Sequence, residues 1–213
     1  MQTITAENLH EKDVLLFING LPPEILPDVS LYKRIYCTDG AYTYLVEKGI
    51  QPDVVSGDFD SLDIDTIAKG TSVVYTPDQD KTDFEKAIAL IKNDGFKSVA
   101  VYGCSGLEQD HFLGNINSMV KSKDVIEICC FDDYGFYFFA KNTTIISGFV
   151  NHIISLVPFA EVTGIISEGV KYPLHKETLT LTNRIGTRNT IVEDTVKIAH
   201  ETGNLLLFVQ RKH

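Results

Sequence analysis

An acidic segment at residues 52–86 places the strongest constraint on how this chain can fold and what it can bind. Residues 53–85 contain nine acidic side chains and two basic ones. Within them, Val54-Val55 is typical of a short buried strand that ends in a glycine turn, which puts Asp58 and Asp60 at the carboxyl end of that strand. Because ligands of open α/β sheets bind at that edge, the two carboxylates are candidates for a functional site.

A helix is predicted to begin at Asp83. Thr82 and Glu85 have the spacing of a capping box, in which each side chain bonds a backbone N–H at the start of a helix. The apolar face of this helix is formed by residues at i, i+3, i+4 and i+7, namely Phe84, Ala87, Ile88 and Ile91. Asp83 is therefore expected near Asp58 and Asp60.

Three carboxylates that converge on one sheet edge repel one another unless a positive charge lies between them. A hard divalent cation is the usual solution, and Mg²⁺ prefers a few carboxylates together with water and substrate phosphates. The acidic segment taken alone is equally compatible with a row of solvated loop acids, so the choice depends on the rest of the chain. The sequence thus offers Asp58, Asp60 and Asp83 as candidate ligands of Mg²⁺.

The first two-thirds of the chain alternates predicted strands with predicted helices. Strands are predicted at residues 14–19, 34–38, 54–55, 73–75, 98–102 and 125–131, and helices at 41–48, 64–69, 83–95 and from Asp110 onward. This alternation predicts an α/β fold with a mainly parallel sheet and helices on both faces. Polar residues recur where the strands end, at Asp39, Asp58, Gln79 and Asp110, which favours a site at one edge of the sheet.

The last third of the chain has a different pattern. It contains short β-rich segments and a hairpin-like turn, at residues 136–140, 143–147, 152–157, 162–167, 179–182, 196–200, 201–204 and 205–210. Because no helical period is present there, we predict a C-terminal all-β sandwich or barrel domain. The predicted boundary near residues 135–141 divides the chain into an α/β domain at 1–135 and a β domain at 136–213.

Charge and cysteine content narrow the classes of partner. The formal net charge is −10, which argues against nucleic acid or an anionic membrane as a partner. Residues 1–140 carry 23 acidic and 11 basic side chains, whereas residues 141–213 carry 6 acidic and 8 basic ones, which suggests two units with different roles.

The four cysteines lack C-x-x-C spacing, so free thiols in a reducing compartment are expected. The N-terminus does not resemble a signal peptide and no apolar run reaches membrane length, so the sequence predicts a cytoplasmic location.

Several polar residues could contribute to a phosphate site, although the common phosphate-binding signatures are absent. The turn Gly103–Gly106 lies between a strand and a helix, so its N–H groups could hold an anion, or it could simply be a tight loop. Lys86 lies one helical turn after Asp83 and could reach a phosphate or form an ion pair within the helix. Asp110 is interpreted as an N-cap that could also hold a ligand, and His111 as a packed or capping histidine.

Taken together, the motifs resemble the thiamin pyrophosphokinase family over nearly the whole chain. The N-terminal motifs are T-D-G-A-Y at residues 38–42, P-D-V-V-S-G-D-F-D-S at 52–61, D-Q-D-K-T-D-F-E-K-A at 78–87, G-C-S-G-L-E-Q-D-H at 103–111 and G-N at 114–115. In the C-terminal part, S-L-V-P-F at 155–159 and E-G-V-K-Y-P-L at 168–174 resemble the thiamin-binding part of that family. Thr182-Asn183 lies where the family typically has Ser-Asn. The combination of G-D-x-D-S with Q-D-x-T-D-x-x-K is specific.

The resemblance implies transfer of a diphosphate from ATP to the hydroxyl of thiamin, with AMP as the second product. It implies that Asp58, Asp60 and Asp83 hold Mg²⁺, and it leaves either Asp83 or Asp110 to accept the hydroxyl proton as a catalytic residue. The residues that it assigns to ATP and diphosphate binding are Asp39, Gly40, Gln79, Thr82, Lys86, Gly103, Ser105, His111 and Asn115, and those for thiamin are Tyr172, Thr182 and Asn183. A homodimer is also implied, with thiamin between the α/β domain of one chain and the β domain of the other.

This chain departs from the family pattern at Glu108. The family usually has G-G-R before the Asp-His pair, whereas here the residues are Gly106-Leu107-Glu108, so an acid replaces the arginine expected to neutralise phosphate. The chain also has no Trp, so stacking on thiamin would fall to Tyr or Phe, with Tyr172 nearest by motif. Two alternatives stay open. Glu108 motivates a non-catalytic nucleotide- or thiamin-binding protein, and Asp58-Phe-Asp60 motivates a D-x-D metal-dependent phosphatase in which Asp58 would be a covalent nucleophile.

Overall fold

The computed structural model describes residues 1–211, which contain three α-helices and fourteen β-strands. The helices are α1 (Asp39–Glu47), α2 (Asp83–Asn93) and α3 (Gln109–Ser122). The strands are β1 (Gln2–Thr5), β2 (Val14–Phe17), β3 (Ile35–Thr38), β4 (Val54–Gly57), β5 (Ser72–Tyr75), β6 (Ser98–Tyr102), β7 (Glu127–Asp132), β8 (Gly135–Phe139), β9 (Thr143–Ser147), β10 (Ile153–Glu168), β11 (His175–Thr180), β12 (Gly186–Thr190), β13 (Thr195–Ala199) and β14 (Thr202–Gln210). Short 3-10 turns lie at Val29–Leu31 and Ile64–Thr66.

The chain divides into two compact units. One unit is Glu11–Asp133, and the other combines Met1–His10 with the residues from Tyr134 onward. The sequence had assigned all of residues 1–135 to the first domain, so the placement of the first ten residues is a correction. Its physical reason is a strand that the sequence analysis missed, because β1 pairs with β9 in a parallel register of four residue pairs.

In the unit Glu11–Asp133, six parallel strands form a sheet in the order β7-β6-β2-β3-β4-β5. The chain builds the sheet outward from β2 to β5, and then returns to the other side of β2 to add β6 and β7. The order in which strands are added therefore reverses between β2 and β6, which makes the carboxyl edge at that position a topological switch point. All four residues of β2 are buried, and successive side chains point to opposite faces, so both faces of the sheet are covered there.

The helix α2 begins where its sequence predicts. The Thr82 hydroxyl accepts a hydrogen bond from the N–H of Glu85, and both Asp83 and Glu85 lie in the first turn, where a negative charge complements the helix dipole. The helix ends at Asn93, two residues before the predicted end, and Gly95 follows in the left-handed region at φ +90°. A glycine in the left-handed conformation just after the last helical residues is typical of a helix C-terminus.

Two other helix predictions need correction. Residues 64–69 form only the 3-10 turn Ile64–Thr66, because the Asp63 side chain accepts from the N–H of Asp65 and its carbonyl accepts from the Thr66 hydroxyl. Such local bonds compete with helix propagation. The predicted helix 41–48 begins earlier, so that Asp39 and Gly40 open α1 rather than close the preceding strand.

In the other unit, β10 is the organising strand. It is 16 residues long and pairs with β11, β12, β13 and β14, all antiparallel. The two strands predicted at 152–157 and 162–167 are both parts of β10, and the register shifts between Phe159 and Val162, where Ala160 has φ +70°. The strand β12 was not predicted, and β14 begins inside the predicted turn 201–204. Closure of these strands into a sandwich or barrel stays a prediction.

No helix among residues 1–211 combines the length and the apolar character that crossing a membrane requires.

Substitution of Gly20 by Ala is expected to destabilise the protein. A Cβ at Gly20 would lie 2.0 Å from the carbonyl oxygen of Gly103 and 2.9 Å from that of Ser105, and these are backbone atoms, which cannot move aside as a flexible side chain can. We expect a loss of about 1–3 kcal/mol or more in the free energy of unfolding, measured by urea denaturation. Gly114→Ala in α3 is the matched control: its Cβ would meet nothing nearer than 3.9 Å, so this change should stabilise by about 0.5–1 kcal/mol. Equal effects of the two changes would contradict the close approach of the two loops.

Candidate functional site

A cavity of ≈ 540 Å³ lies at the switch point of the parallel sheet. Its walls come from the loops that follow β2 and β6 and from the first turns of α2 and α3. The lining residues are 18–20, 82–84, 103–105, 107–108, 110–112 and 114–115, together with Thr38. A cavity of this size at this edge is the usual position of a nucleotide or cofactor in an open α/β sheet.

The loops after β2 and β6 are docked tightly against each other. The Leu21 N–H donates to the Ser105 carbonyl oxygen at 2.8 Å, and the Ile18 N–H donates to the Tyr102 carbonyl oxygen at 3.0 Å. Gly103 is in the left-handed region at φ +82°, and a side chain there would collide with the Ile18 carbonyl oxygen at 2.2 Å. Glycine is therefore required at this position, because both the backbone conformation and the close approach exclude a Cβ.

Three helix N-termini border the cavity. Thr38, Thr82 and Glu108 are the N-cap residues of α1, α2 and α3, and each of them lines the cavity. The aligned peptide dipoles give each helix N-terminus a partial positive charge, which favours an anion. Among the described lining residues there is no Lys or Arg, and three carboxylates are present, on Asp83, Glu108 and Asp110. Among these lining residues, the groups that favour an anion are therefore mainly the backbone N–H groups of the helix N-termini.

A cluster of carboxylates lies beside this cavity. Asp39, Asp58 and Asp60 each offer an oxygen atom, and these three atoms all lie within 4.8 Å of one another. The sequence had grouped Asp83, rather than Asp39, with Asp58 and Asp60. Asp83 lines the cavity, and its charge contributes to raising the pKa of Asp39, so it lies close to the cluster without being one of its three members.

Asp39 is the buried member of the cluster. It begins α1 directly after β3, and its two carboxylate oxygens accept from the N–H of Gly40 at 2.8 Å and from that of Phe59 at 2.9 Å. Burial raises the pKa of Asp39, the two N–H bonds lower it, and the nearby charges of Asp83 and Asp58 raise it again. Gly57 leaves room for this carboxylate, because a Cβ at that position would lie 2.1 Å from Asp39 Oδ2.

Asp58 and Asp60 are positioned by an unusual backbone between them. Phe59 has φ +56°, a conformation that a bulky residue adopts only when its surroundings impose it. That conformation aims the Phe59 N–H at Asp39. Gln79, which the sequence assigned to ATP binding, donates from Nε2 to Asp58 Oδ2 at 2.8 Å. This hydrogen bond is the main cause of the lowered pKa of Asp58, which keeps that carboxylate ionised.

Lys86 is buried and already bonded within its own unit. Its Nζ lies 2.7 Å from Asp83 Oδ1 and donates to the Thr76 carbonyl oxygen at 2.9 Å. Both alternatives for this residue had been left open, and the structure shows the intrahelical ion pair. Gly40, also assigned to ATP binding, approaches Asn19 so closely that a Cβ would lie 2.6 Å from its side-chain nitrogen.

The start of α3 differs from the prediction. The N-cap is Glu108 rather than Asp110, and the helix begins at Gln109. Asp110 accepts from the N–H of His111 at 3.0 Å, and His111 Nδ1 lies 3.5 Å from Glu108 Oε2. Of the predicted phosphate residues, Thr82, Gly103, Ser105, His111 and Asn115 line the cavity with Asp83 and Asp110.

The residues assigned to thiamin lie in the other unit. Tyr172 is exposed, and its backbone N–H and carbonyl oxygen are both bonded to the Asn189 side chain, at 3.0 and 2.7 Å. The Lys171 ammonium lies 5.2 Å from the centre of the Tyr172 ring. Thr182 and Asn183 are exposed in the turn between β11 and β12, where the Asn183 N–H donates to the Thr180 carbonyl oxygen.

Sequence analysis missed Asn19, Gly20 and Thr38 as lining residues of the cavity. The signal that could have found them is the one used for Asp58, because each lies at or just beyond the carboxyl end of a predicted strand. Thr38 has a further property. Its side chain is 2% exposed, and among the described residues no group lies within hydrogen-bond reach of its hydroxyl.

A parallel α/β unit with a carboxylate cluster and three helix N-termini at its switch point has the arrangement of an enzyme that handles phosphate groups. Comparison with known families agrees. The model of the thiamin pyrophosphokinase catalytic domain matches residues 29–130, and the model of the vitamin B1 binding domain of the same family matches residues 143–205. The chain therefore belongs to the thiamin pyrophosphokinase family, which confirms the resemblance drawn from its motifs.

Individual relatives extend this match. Thiamine pyrophosphokinase of Bacillus subtilis is 27% identical over 209 residues, which covers 89% of this chain and 95% of the relative. Thiamin pyrophosphokinase 1 of Caenorhabditis elegans is 27% identical over 126 residues, 52% of this chain and 51% of the relative. Among solved structures, the B. subtilis enzyme has a TM-score of 0.80 at 23% identity, covering 94% of this chain and all of that one. Thiamin pyrophosphokinase from Candida albicans has a TM-score of 0.82 at 17% identity, covering 99% and 93%.

Replacement of Thr38 by Val should not lower the stability of the protein. The change removes a hydroxyl that has no partner and inserts a methyl group of similar size, so the free energy of unfolding is expected to stay equal or to rise by about 1 kcal/mol. The matched control is Thr144→Val, since Thr144 is also buried and its hydroxyl bonds the Gln2 side chain and the Lys141 carbonyl oxygen. That control should lose about 1–2 kcal/mol in urea denaturation. A comparable loss at Thr38 would mean that its hydroxyl has a structural partner.

Proposed function

We propose that this enzyme transfers a diphosphate group from ATP to the hydroxyl of thiamin in a Mg²⁺-dependent reaction that gives thiamin diphosphate and AMP. The observation that carries the proposal is the cluster of Asp39, Asp58 and Asp60 beside the cavity, within a chain of the thiamin pyrophosphokinase family. Diphosphate transfer depends mainly on positioning and on neutralising the negative charge of the transferring oxygens. The cluster and the cavity supply these two requirements from adjacent residues.

The donor set of the cluster fits Mg²⁺. Its ligand atoms would be carboxylate oxygens, which are the hard ligands that this ion takes. Asp58 is kept ionised by Gln79, and Asp39 is oriented by two N–H bonds that leave lone pairs on both of its oxygens. We propose that Asp39, Asp58 and Asp60 hold the ion, with Asp83 at the adjacent cavity wall. When bound, Mg²⁺ would offset the charge on the diphosphate oxygens.

The cavity would hold the phosphate groups of ATP. The N-termini of α1, α2 and α3 favour an anion, and the turn Gly103–Gly106 contributes to the cavity wall. Asp83 and Asp110 both line the cavity and are the candidates to accept the proton of the attacking hydroxyl. Asp83 is paired with the buried Lys86, which holds its side chain in place for that role or for contact with the metal.

Glu108 does not remove the electrostatic basis for ATP binding. It stands where the family usually has arginine, but its carboxylate is exposed and lies near the His111 ring nitrogen. The alternative that this residue motivates is a protein that binds nucleotide or thiamin without turnover. A phosphatase that uses Asp58 as a nucleophile remains a further alternative, and the same experiment separates the three.

Conversion of ATP and thiamin should be visible by ³¹P NMR with purified protein and Mg²⁺. We expect thiamin diphosphate and AMP to appear together, and Asp58→Asn to lower the rate by about 100-fold or more, because the cluster loses one of three charges on the metal. Glu193→Gln is the matched control, since it removes an acid that is exposed in the other unit. Formation of ADP or free phosphate instead would contradict diphosphate transfer. Thiamin binding without turnover would support the non-catalytic alternative.

The proposed homodimer can be tested by mixing two inactive variants. If thiamin contacts Asn183 of one chain and the acidic cluster of its partner chain, Asp58→Asn and Asn183→Ala each inactivate, but a mixed dimer contains one intact site. Random exchange of equal amounts should restore about one quarter of the wild-type rate, because half of the dimers are mixed and each has one active site of two. If the exchanged mixture shows only the activity expected from the residual rates of the two separate variants, a site shared between chains is contradicted.

A further inference from the structure

Two thiols that have no role in the proposed reaction lie in contact at the cavity wall. Cys104 Sγ and Cys130 Sγ are 3.1 Å apart, and Cys130 Sγ lies 3.5 Å from Met119 Sδ. Both cysteines are buried, and both are reduced in the structure. Cys104 lines the cavity, in the loop that follows β6, whereas Cys130 lies on the neighbouring strand β7.

We propose that Cys104 and Cys130 form an oxidative modification site, at which a hydroperoxide converts the dithiol into a disulfide and thereby weakens nucleotide binding. The Cys104 sulfur attacks the peroxide, which forms an S–O bond, breaks the O–O bond and releases water or an alcohol. The Cys130 sulfur then attacks the sulfur of the resulting sulfenic acid, which forms the S–S bond, and the hydroxyl of the sulfenic acid leaves as water. Two thiols lose two electrons and two protons, and the peroxide is reduced.

The geometry selects this pair among the four cysteines. A disulfide has an S–S length of about 2.05 Å, so the two sulfur atoms have to approach by about 1 Å. Cys129 is adjacent to Cys130 on β7 and therefore points to the opposite face of the sheet. Burial raises the pKa of the Cys129 thiol to about 12, and burial also raises that of Cys37, so both are poor nucleophiles at neutral pH.

Access to the pair runs through the cavity. Cys104 is 2% exposed, yet it belongs to the wall of a ≈ 540 Å³ space that is large enough for a small peroxide. Occupation of the cavity by a nucleotide would cover the same wall, so a bound nucleotide should slow the oxidation. This last expectation rests on the proposed function.

A displacement of Cys104 would change the shape of the nucleotide site, because the residues on both sides of Cys104 are held in place by close contacts and hydrogen bonds. The Cys104 carbonyl oxygen accepts from Asn115 Nδ2 at 3.0 Å, and Asn115 also lines the cavity. On either side of Cys104, Gly103 is packed against the Ile18 carbonyl oxygen and Ser105 is bonded to the Leu21 N–H. A displacement of Cys104 by about 1 Å toward β7 therefore moves the other residues of this cavity wall as well, and it does not stay confined to Cys104.

The test uses the full-length reduced protein, treated with hydrogen peroxide and then denatured and alkylated. Intact mass should show two alkyl groups on the oxidised protein against four on the reduced protein, and peptide mapping should join the peptides of Cys104 and Cys130. Cys130→Ser should not form this link, whereas the matched variant Cys129→Ser should form it as the wild type does. By calorimetry, oxidation should weaken ATP binding by about fivefold or more in the wild type and in Cys129→Ser, and dithiothreitol should reverse it.

Three results would overturn the proposal. One is the absence of the Cys104–Cys130 link in excess peroxide, and another is oxidation of wild-type Cys104 to a sulfinic acid in place of the disulfide. The third is a complete link with unchanged ATP affinity. The mass measurement does not depend on the reaction that the enzyme catalyses. Failure of the reduced protein to bind ATP would therefore count against the proposed function, while the disulfide itself would still be tested.

Discussion

Repulsion among the carboxylates at one sheet edge is the constraint on which the site depends. Asp39, Asp58 and Asp60 converge within 4.8 Å, in a chain whose net charge is already −10. Backbone N–H groups from Gly40 and Phe59 offset part of this repulsion. The positive charge of the nearby Lys86 also acts on Asp58, and a cation bound at the cluster would offset more of the repulsion. A cation held there is in turn an attractive partner for an anion in the adjacent cavity, so metal and phosphate would stabilise each other's binding.

The topology of the parallel sheet explains why a cavity that favours an anion lies beside a carboxylate cluster that favours a cation. In such a sheet every strand ends at the same edge, and every helix that follows a strand begins there. The edge therefore collects helix N-termini, which favour an anion, together with the loop residues that follow β3 and β4, which here are acidic. The cavity and the cluster are two consequences of one topology, and the close docking of Gly20 on Gly103 fixes the loops between them.

Local sequence patterns predicted those features that depend on neighbouring residues. The capping box of Thr82 and Glu85 placed the start of α2 correctly, and the family motifs were confirmed by the family models. The inclusion of Asp39 in the cluster was not predicted, because it depends on the register in which Thr38 of β3 faces Ser56 of β4. Strand β1 was missed for the same kind of reason, since its partner β9 is about 140 residues away along the chain. The long strand β10 was split in two because Pro158, which cannot donate a hydrogen bond between strands, is typical of a break.

The acid at position 108 is consistent with this electrostatic arrangement. As the N-cap of α3, Glu108 makes no side-chain hydrogen bond to the first turn, so the N-terminus of the helix is left for another acceptor. Its carboxylate lies 3.5 Å from His111 Nδ1, and both side chains are mostly exposed, where solvent and salt screen their charges. An arginine at that position would add a direct positive contact to phosphate, whereas the backbone of three helices provides a weaker and more diffuse one. If the cluster binds Mg²⁺ as proposed, such a site would depend more on that cation than on any single basic side chain.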